Sequence, residues 1–176
     1  MSDKFPARVY LSLGSNQGDR LSYLINAVKR LKLHSEGRIL VSGVYETEPW
    51  GFSADQPFYN IVAEMSFRLL PGDLMKLCLE TEATLGRKRL KVAGYDSRPI
   101  DIDILFYGEE IMQKEGLTVP HPRLHLRRFV LAPMAELAPD YVHPVLRKSI
   151  ADLLFSCPDD GRVVFISSFP WTEDIV

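Results

Sequence analysis

The chain has 176 residues, the scale of one domain, and its 46% hydrophobic and 25% charged content lies far from the polar, highly charged compositions that stay disordered. Its 21 Lys and Arg against 23 Asp and Glu give a formal net charge of −2, which argues against holding nucleic acid by bulk charge. Two distant cysteines, Cys78 and Cys157, suggest neither a zinc site nor a disulfide framework and are expected to be buried reduced thiols; with no apolar run near the ~18 residues of a membrane span and no apolar leader, the expectation is a soluble, cytoplasmic chain.

Val9, Leu11 and Leu13 alternate with Tyr10 and Ser12, predicting a strand with one buried face. Residues 14–18 (Gly-Ser-Asn-Gln-Gly) break it; lacking the Lys-Ser/Thr ending of a P-loop, they read as a turn. From Asp19 as N-cap, Leu21, Leu24, Ile25, Val28 and Leu31 recur at helical spacing, so a helix should run on to finish near Gly37. Residues 38–45 read as extended, 46–57 as a loop carrying Pro49, Gly51, Ser53 and Pro57, and 58–67 as a strand. Pro71-Gly72-Asp73 opens a second helix with an apolar face of Leu74, Leu77, Cys78, Thr81 and Leu85, stopped at Gly86. Glu82 borders that face, an odd place for a carboxylate. Ile100, Ile102 and Ile104 alternate with Asp101 and Asp103 in a further strand, and short helices are expected around 130–137 and 149–155. The order strand, helix, strand, strand, helix, strand predicts an α+β, ferredoxin-like antiparallel sheet with helices on one face. No repeat or linker divides residues 1–176.

Asp101 and Asp103 should project from one face with Cα atoms ~6.6 Å apart, the isoleucines entering the core. Their repulsion is on the order of 2 kcal/mol at an effective dielectric near 20. A divalent cation reverses that sign, and Mg²⁺ takes one or two carboxylates and completes its shell with water and substrate phosphates. The plainer alternative is the solvated face of an edge strand. Between Arg87 and Arg128, nine basic residues face six acidic ones, so this stretch is +3 and the remainder −5. Carboxylates for a metal flanked by donors for anionic oxygens are what phosphoryl transfer needs. Trp50, Phe52, Phe58 and Tyr59 stand beside Gln56 and Asn60, rings and amides able to sandwich and read a flat heterocycle, or equally ordinary core aromatics.

Val9-Tyr10-Leu11-Ser12-Leu13-Gly14-Ser15-Asn16, Gln56-Pro57-Phe58-Tyr59-Asn60, Glu82 with Leu85-Gly86-Arg87, residues 98–105 (Arg-Pro-Ile-Asp-Ile-Asp-Ile-Leu) and residues 117–123 (Leu-Thr-Val-Pro-His-Pro-Arg) through Arg127, Phe129 and Pro133 together resemble the 6-hydroxymethyl-7,8-dihydropterin pyrophosphokinase family of folate biosynthesis. The resemblance covers about residues 8–155 and leaves the tail from Cys157 outside. It implies transfer of the β,γ-diphosphate of ATP to the pterin hydroxymethyl group, with AMP released. Asp101 and Asp103 would hold two Mg²⁺ ions, with Arg87 and Arg98 beside them as catalytic groups. Phe58 and Phe129 would sandwich the pterin, with Asn60 and the surroundings of Thr47 and Trp50 reading its edge. Glu82, Arg89, Thr118, His121 and Arg127 fall on the ATP side, with Ile104 against adenine. The family also implies mobile loops around 14–18, 46–56 and 86–98; the chain is expected to work as a monomer on ATP and a reduced pterin, without nucleic acid or membrane. Tyr95-Asp96-Ser97, Leu79, Glu48 and Gly116 depart from the family's usual residues. Two rivals remain at this point, a ferredoxin-like RNA-binding module and a catalytically silent pterin-binding relative.

Overall fold

The computed structural model describes residues 5–49, 53–88 and 97–171. In chain order these form β1 (Ala7–Ser15), α1 (Arg20–Lys32), β2 (Glu36–Val41), β3 (Val44–Thr47), β4 (Phe58–Phe67), α2 (Pro71–Thr84), β5 (Asp101–Tyr107), β6 (Met112–Lys114), β7 (Leu117–Val119), a 3₁₀ turn (Leu124–Leu126), α3 (Arg128–Leu137), α4 (Ile150–Phe155) and β8 (Val163–Ser167). The main sheet runs β5-β1-β4-β3-β8, with β2 also on β4, and all its pairs are antiparallel. This is the ferredoxin-like α+β arrangement that the element order predicts. Residues 38–45 are two strands rather than one, interrupted at Ser42-Gly43.

Asp19 caps α1 by accepting the Ser22 N–H at 3.0 Å, an interaction worth ~1 kcal/mol. The helix ends at Lys32, short of Gly37, which lies in β2 at φ +69°. The apolar period stops at Leu31, and with nothing further to bury the chain turns through His34 and Ser35, whose N–H groups bond the Leu31 and Lys32 carbonyls. Pro71 opens α2, and Gly86 follows its end at φ +94°, where a side chain would be strained.

The helices cover both faces of the sheet, not one. Val9, Leu11 and Leu13 pack with Ile61, Met65 and Ile102 under α1 and α2, whereas Tyr10, Val62 and Phe106 pack under α3 and α4. The expected solvent face of β1 is therefore absent: every residue from Val9 to Ser15 is buried. The two helices after β5 close what a four-strand unit alone would leave open. Of the cysteines, Cys78 is buried and Cys157 only partly so; both are free. Beyond α4, the tail adds β8 to the outer edge of β3 and sinks Phe169 into the core. Among the described residues, no helix is long and apolar enough to cross a membrane.

Candidate active site

Cross-strand register decides which side chains meet. Gly14 of β1 lies opposite Asn60 of β4 on one side and Asp101 of β5 on the other; two residues earlier, Ser12 lies between Val62 and Asp103. Opposed residues share a face, so Asn60, Asp101, Asp103 and Ser12 all emerge on the α3 side. Gly14 contributes no side chain, leaving a hollow between the Asn60 amide and the Asp101 carboxylate. A cavity of about 270 Å³ sits over that hollow.

One part of its wall is aromatic. Phe58 and Phe129 line it together with Thr47 and Asn60. The Asn60 amide, 3% exposed, donates through Nδ2 to Thr47 Oγ1 at 2.6 Å. A methyl on Gly14 would stand 2.8 Å from Asn60 Oδ1 and 3.5 Å from the Phe58 ring, so glycine is required here by close approach rather than by backbone angle.

The rest of the wall is charged, with Arg87, Arg98 and Arg127 around Asp101 and Asp103. Asp101 is gripped by two guanidiniums: Arg87 donates to Oδ1, and Arg98 approaches Oδ2 at 2.7 Å. Burial alone would raise the Asp101 pKa, yet Arg98 and Arg87 bring it below the usual carboxylate range. Asp103 is loosely held, with Arg127 at 3.6 Å and His121 at 3.8 Å, and its side chain keeps 39% of its surface open toward the cavity. Burial in the protein and then the neighbouring charge of Asp101 push its pKa up to about 6. His121 is driven down to about 4, by burial first and then by Arg127 and Arg123, so its imidazole is neutral at pH 7. Arg98 also lies over the Phe58 ring at 5.3 Å and Arg127 over Phe129 at 5.7 Å, so each arginine bridges the aromatic and charged parts.

Glu82 proves to be a strut behind this wall. It is 1% exposed, accepts the Ile102 N–H at 2.8 Å, and holds Arg87 at 2.6 Å. This explains its place on the rim of the apolar face of α2. Burial would depress the Arg87 pKa, but Asp101 and Glu82 raise it instead, fixing a permanent cation.

The expected site residues Arg87, Arg98, Asp101, Asp103, Thr47, Phe58, Asn60, Phe129, His121 and Arg127 thus come together on one cavity. Two do not. Ile104 is 3% exposed, and its side chain packs in the core under α1 and α2, on the opposite face from the carboxylates, because strand alternation points it there. Thr118, on β7, is half-buried and outside the cavity lining. Trp50 and Arg89, like Tyr95 and Asp96, lie outside the described residues. Ser12, Gly14 and Glu48 also line the cavity and are absent from the expected set. A serine in the middle of an apolar central strand is the signal that would have found Ser12.

A family model described as 7,8-dihydro-6-hydroxymethylpterin-pyrophosphokinase (HPPK) matches residues 10–139. The chain belongs to this family. It is 41% identical over 147 residues, 83% of its length and 89% of the relative's, to the 2-amino-4-hydroxy-6-hydroxymethyldihydropteridine pyrophosphokinase of Aquifex aeolicus. It is 39% identical over 143 residues to the folic acid synthesis protein fol1 of Pneumocystis carinii, of which it spans only 19%. The crystal structure of wild-type Plasmodium falciparum HPPK-DHPS superposes with a TM-score of 0.65 at 17% identity, covering 85% of this chain and 43% of that one, which supports the fold alone. Within the HPPK family this chain accordingly resembles both free-standing relatives and a segment of larger proteins.

The site fits a divalent cation of the hard type. Its carboxylates are oxygen donors two residues apart, and Asp103 is turned to the cavity with a pKa raised first by burial and then by the charge of Asp101. Mg²⁺ typically takes one or two carboxylates and fills its remaining positions with water and substrate phosphates, which suits this pair.

Proposed function

We propose that the chain transfers the β,γ-diphosphate of ATP to the hydroxymethyl group of 6-hydroxymethyl-7,8-dihydropterin in folate biosynthesis. The observation carrying this reading is the two-part cavity, with Phe58, Phe129 and Asn60 in one part of the wall and a carboxylate pair among three arginines in another. The pterin oxygen forms a bond to the β-phosphorus, the bond from that phosphorus to the α,β-bridging oxygen breaks, and AMP leaves; the hydroxyl proton is released.

Phe58 and Phe129 orient the heterocycle by stacking, and the Asn60 amide, immobilised by Thr47, reads its edge. Arg87 and Arg98, preset by Asp101, offer fixed donors to phosphate oxygens at no reorganisation cost when charge shifts. Arg127 and the neutral His121 complete the anionic pocket around Asp103. Asp101 and Asp103 are the residues that would hold Mg²⁺, in a site for two ions whose bound form neutralises and orients the triphosphate. Catalysis is then positioning plus electrostatics, by a monomer acting in the cytoplasm.

An RNA-binding module of this fold needs an open sheet face bearing stacking aromatics. Here α1 and α2 cover one face, α3 and α4 pack on the other, and the exposed end of the latter carries two aspartates. The deciding experiment mixes protein, ATP, Mg²⁺ and the hydroxymethyl dihydropterin. AMP and a diphosphorylated pterin are expected; ADP in place of AMP, or no product from a folded protein, overturns the reading.

A further inference from the structure

The turn after β1 remains unexplained by the cavity itself. Asn16, third residue of the Gly14-Ser15-Asn16 run, is 2% exposed and points into neither the aromatic nor the charged wall. Its side chain instead joins the roots of two other segments. Nδ2 donates to the Gln56 carbonyl at 3.4 Å and to Ser97 Oγ at 3.1 Å, while Oδ1 accepts the Arg98 N–H at 2.8 Å. The Asn16 N–H also donates to the Arg98 carbonyl at 3.2 Å. One buried amide therefore holds the backbone two residues before Phe58 and the backbone of the arginine that grips Asp101.

The neighbouring root is held as well. Arg20, at the start of α1, donates to the Pro57 carbonyl at 2.8 Å, pairs with Glu46 at 3.2 Å, and stacks 3.6 Å over Tyr59. Arg98 and Gln56 are bonded to one Asn16 side chain, so a displacement of Arg98 is passed through it to the backbone that leads into the aromatic wall. Arg98 itself spans both walls, on Asp101 by its guanidinium and over Phe58 by its face.

We infer that Asn16 is a positioning residue that couples the two ends of the cavity, so that anions engaging Arg98 alter the affinity of the aromatic end for its heterocycle. This rests on the function proposed above and adds a residue that touches neither substrate. An allosteric coupling is a ratio of affinities, and a purely structural residue changes both affinities without changing their ratio. The carboxamide-to-carboxylate change Asn16→Asp keeps the acceptor for the Arg98 N–H and removes the donor to Gln56. Ser97→Ala removes one acceptor and leaves both backbone bonds.

The test measures the pterin Kd of the full chain by calorimetry, with and without a non-hydrolysable ATP analogue plus Mg²⁺. The ratio of the two constants is the coupling factor. In Asn16→Asp that factor is expected to move toward one by at least about threefold, the scale of a hydrogen bond, whatever the change in the Kd for the analogue alone. Ser97→Ala should shift the factor in the same direction by less, and it decides the matter if Asn16→Asp does not fold. A wild-type factor of one, or wild-type factors in the folded variants, overturns the coupling while leaving the proposed function intact. A wild-type chain that binds the analogue but no pterin removes the proposed function, and the coupling with it.

Discussion

The hollow above Gly14 gives the sharpest prediction. In Gly14→Ala the added methyl stands 2.8 Å from Asn60 Oδ1 and 3.5 Å from the Phe58 ring, the first contact about half an ångström inside ordinary van der Waals distance. Neither neighbour yields easily: Asn60 is 3% exposed and bonded to Thr47 at 2.6 Å, and Phe58 is 7% exposed. Overpacking of this kind costs ~1–3 kcal/mol. If the strain is relieved by displacing Asn60 and Phe58 into the cavity, the same energy appears as pterin binding weaker by roughly 5- to 150-fold. The atoms nearest the methyl belong to Asn60 and Phe58 and not to Asp101, so nucleotide affinity should stay unchanged. Calorimetric Kd values for the pterin and for an ATP analogue, with a thermal unfolding midpoint on the same samples, separate these outcomes. Unchanged pterin affinity at an unchanged midpoint would refute the claim that the bare backbone at Gly14 shapes the site.

Asp103→Ala should lower turnover by orders of magnitude and leave the thermal midpoint at pH 8 equal or higher, because burial and Asp101 already disfavour its ionised form; retained Mg²⁺-dependent turnover would sink the metal assignment. Glu82→Ala strands the Ile102 N–H and removes one partner of the buried Arg87, so urea unfolding should show a loss of ~3–5 kcal/mol, and a loss below about 1 kcal/mol would contradict the strut role. His143 is 4% exposed, and its Nδ1 accepts the N–H groups of Val145 and Leu146 at 3.2 and 3.1 Å. Burial, then His125, lowers its pKa, so below about pH 6.5 the unfolded chain binds the extra proton and stability falls with falling pH. Thermal midpoints from pH 8 to 5 should therefore drop more steeply for the wild type than for His143→Asn, and parallel curves would exclude His143 as the cause.

Much of this arrangement was legible in the chain because it rests on local periodicity. Ile100, Ile102 and Ile104 announce β5 and turn Asp101 and Asp103 to the other side, and 58–67 reads as the strand it is. The same alternation sends the Ile104 side chain to the core. What local pattern does not carry is partnership. Three-residue strands such as β6 and β7 hold too little sequence to show a period, and β8 is recognisable only by its pairing with β3. The break at Gly43 follows from the Phe165 ring, 2.3 Å from where a Cβ would stand, a contact made 122 residues away in sequence. Glu82 is marked as odd by its helix position, but its purpose needs Ile102 and Arg87 beside it. Asn16 closes the first motif of the resemblance, but its purpose is not legible there, because its bonds to Gln56, Ser97 and Arg98 are all to other segments.

The burial of β1 on both sides bears on how such a chain can change over time. Along most strands, every second position meets water and can drift freely. From Val9 to Ser15 no such position exists: the odd-numbered residues 9, 11 and 13 are committed to packing under α1 and α2, while Ser12 and Gly14 form the floor of the cavity. A replacement there is paid in either folding or binding, with no neutral class between them. Novelty in affinity or substrate range must then enter from the walls, on β3, α3 and the segments around Gln56 and Ser97, while the floor stays as it is.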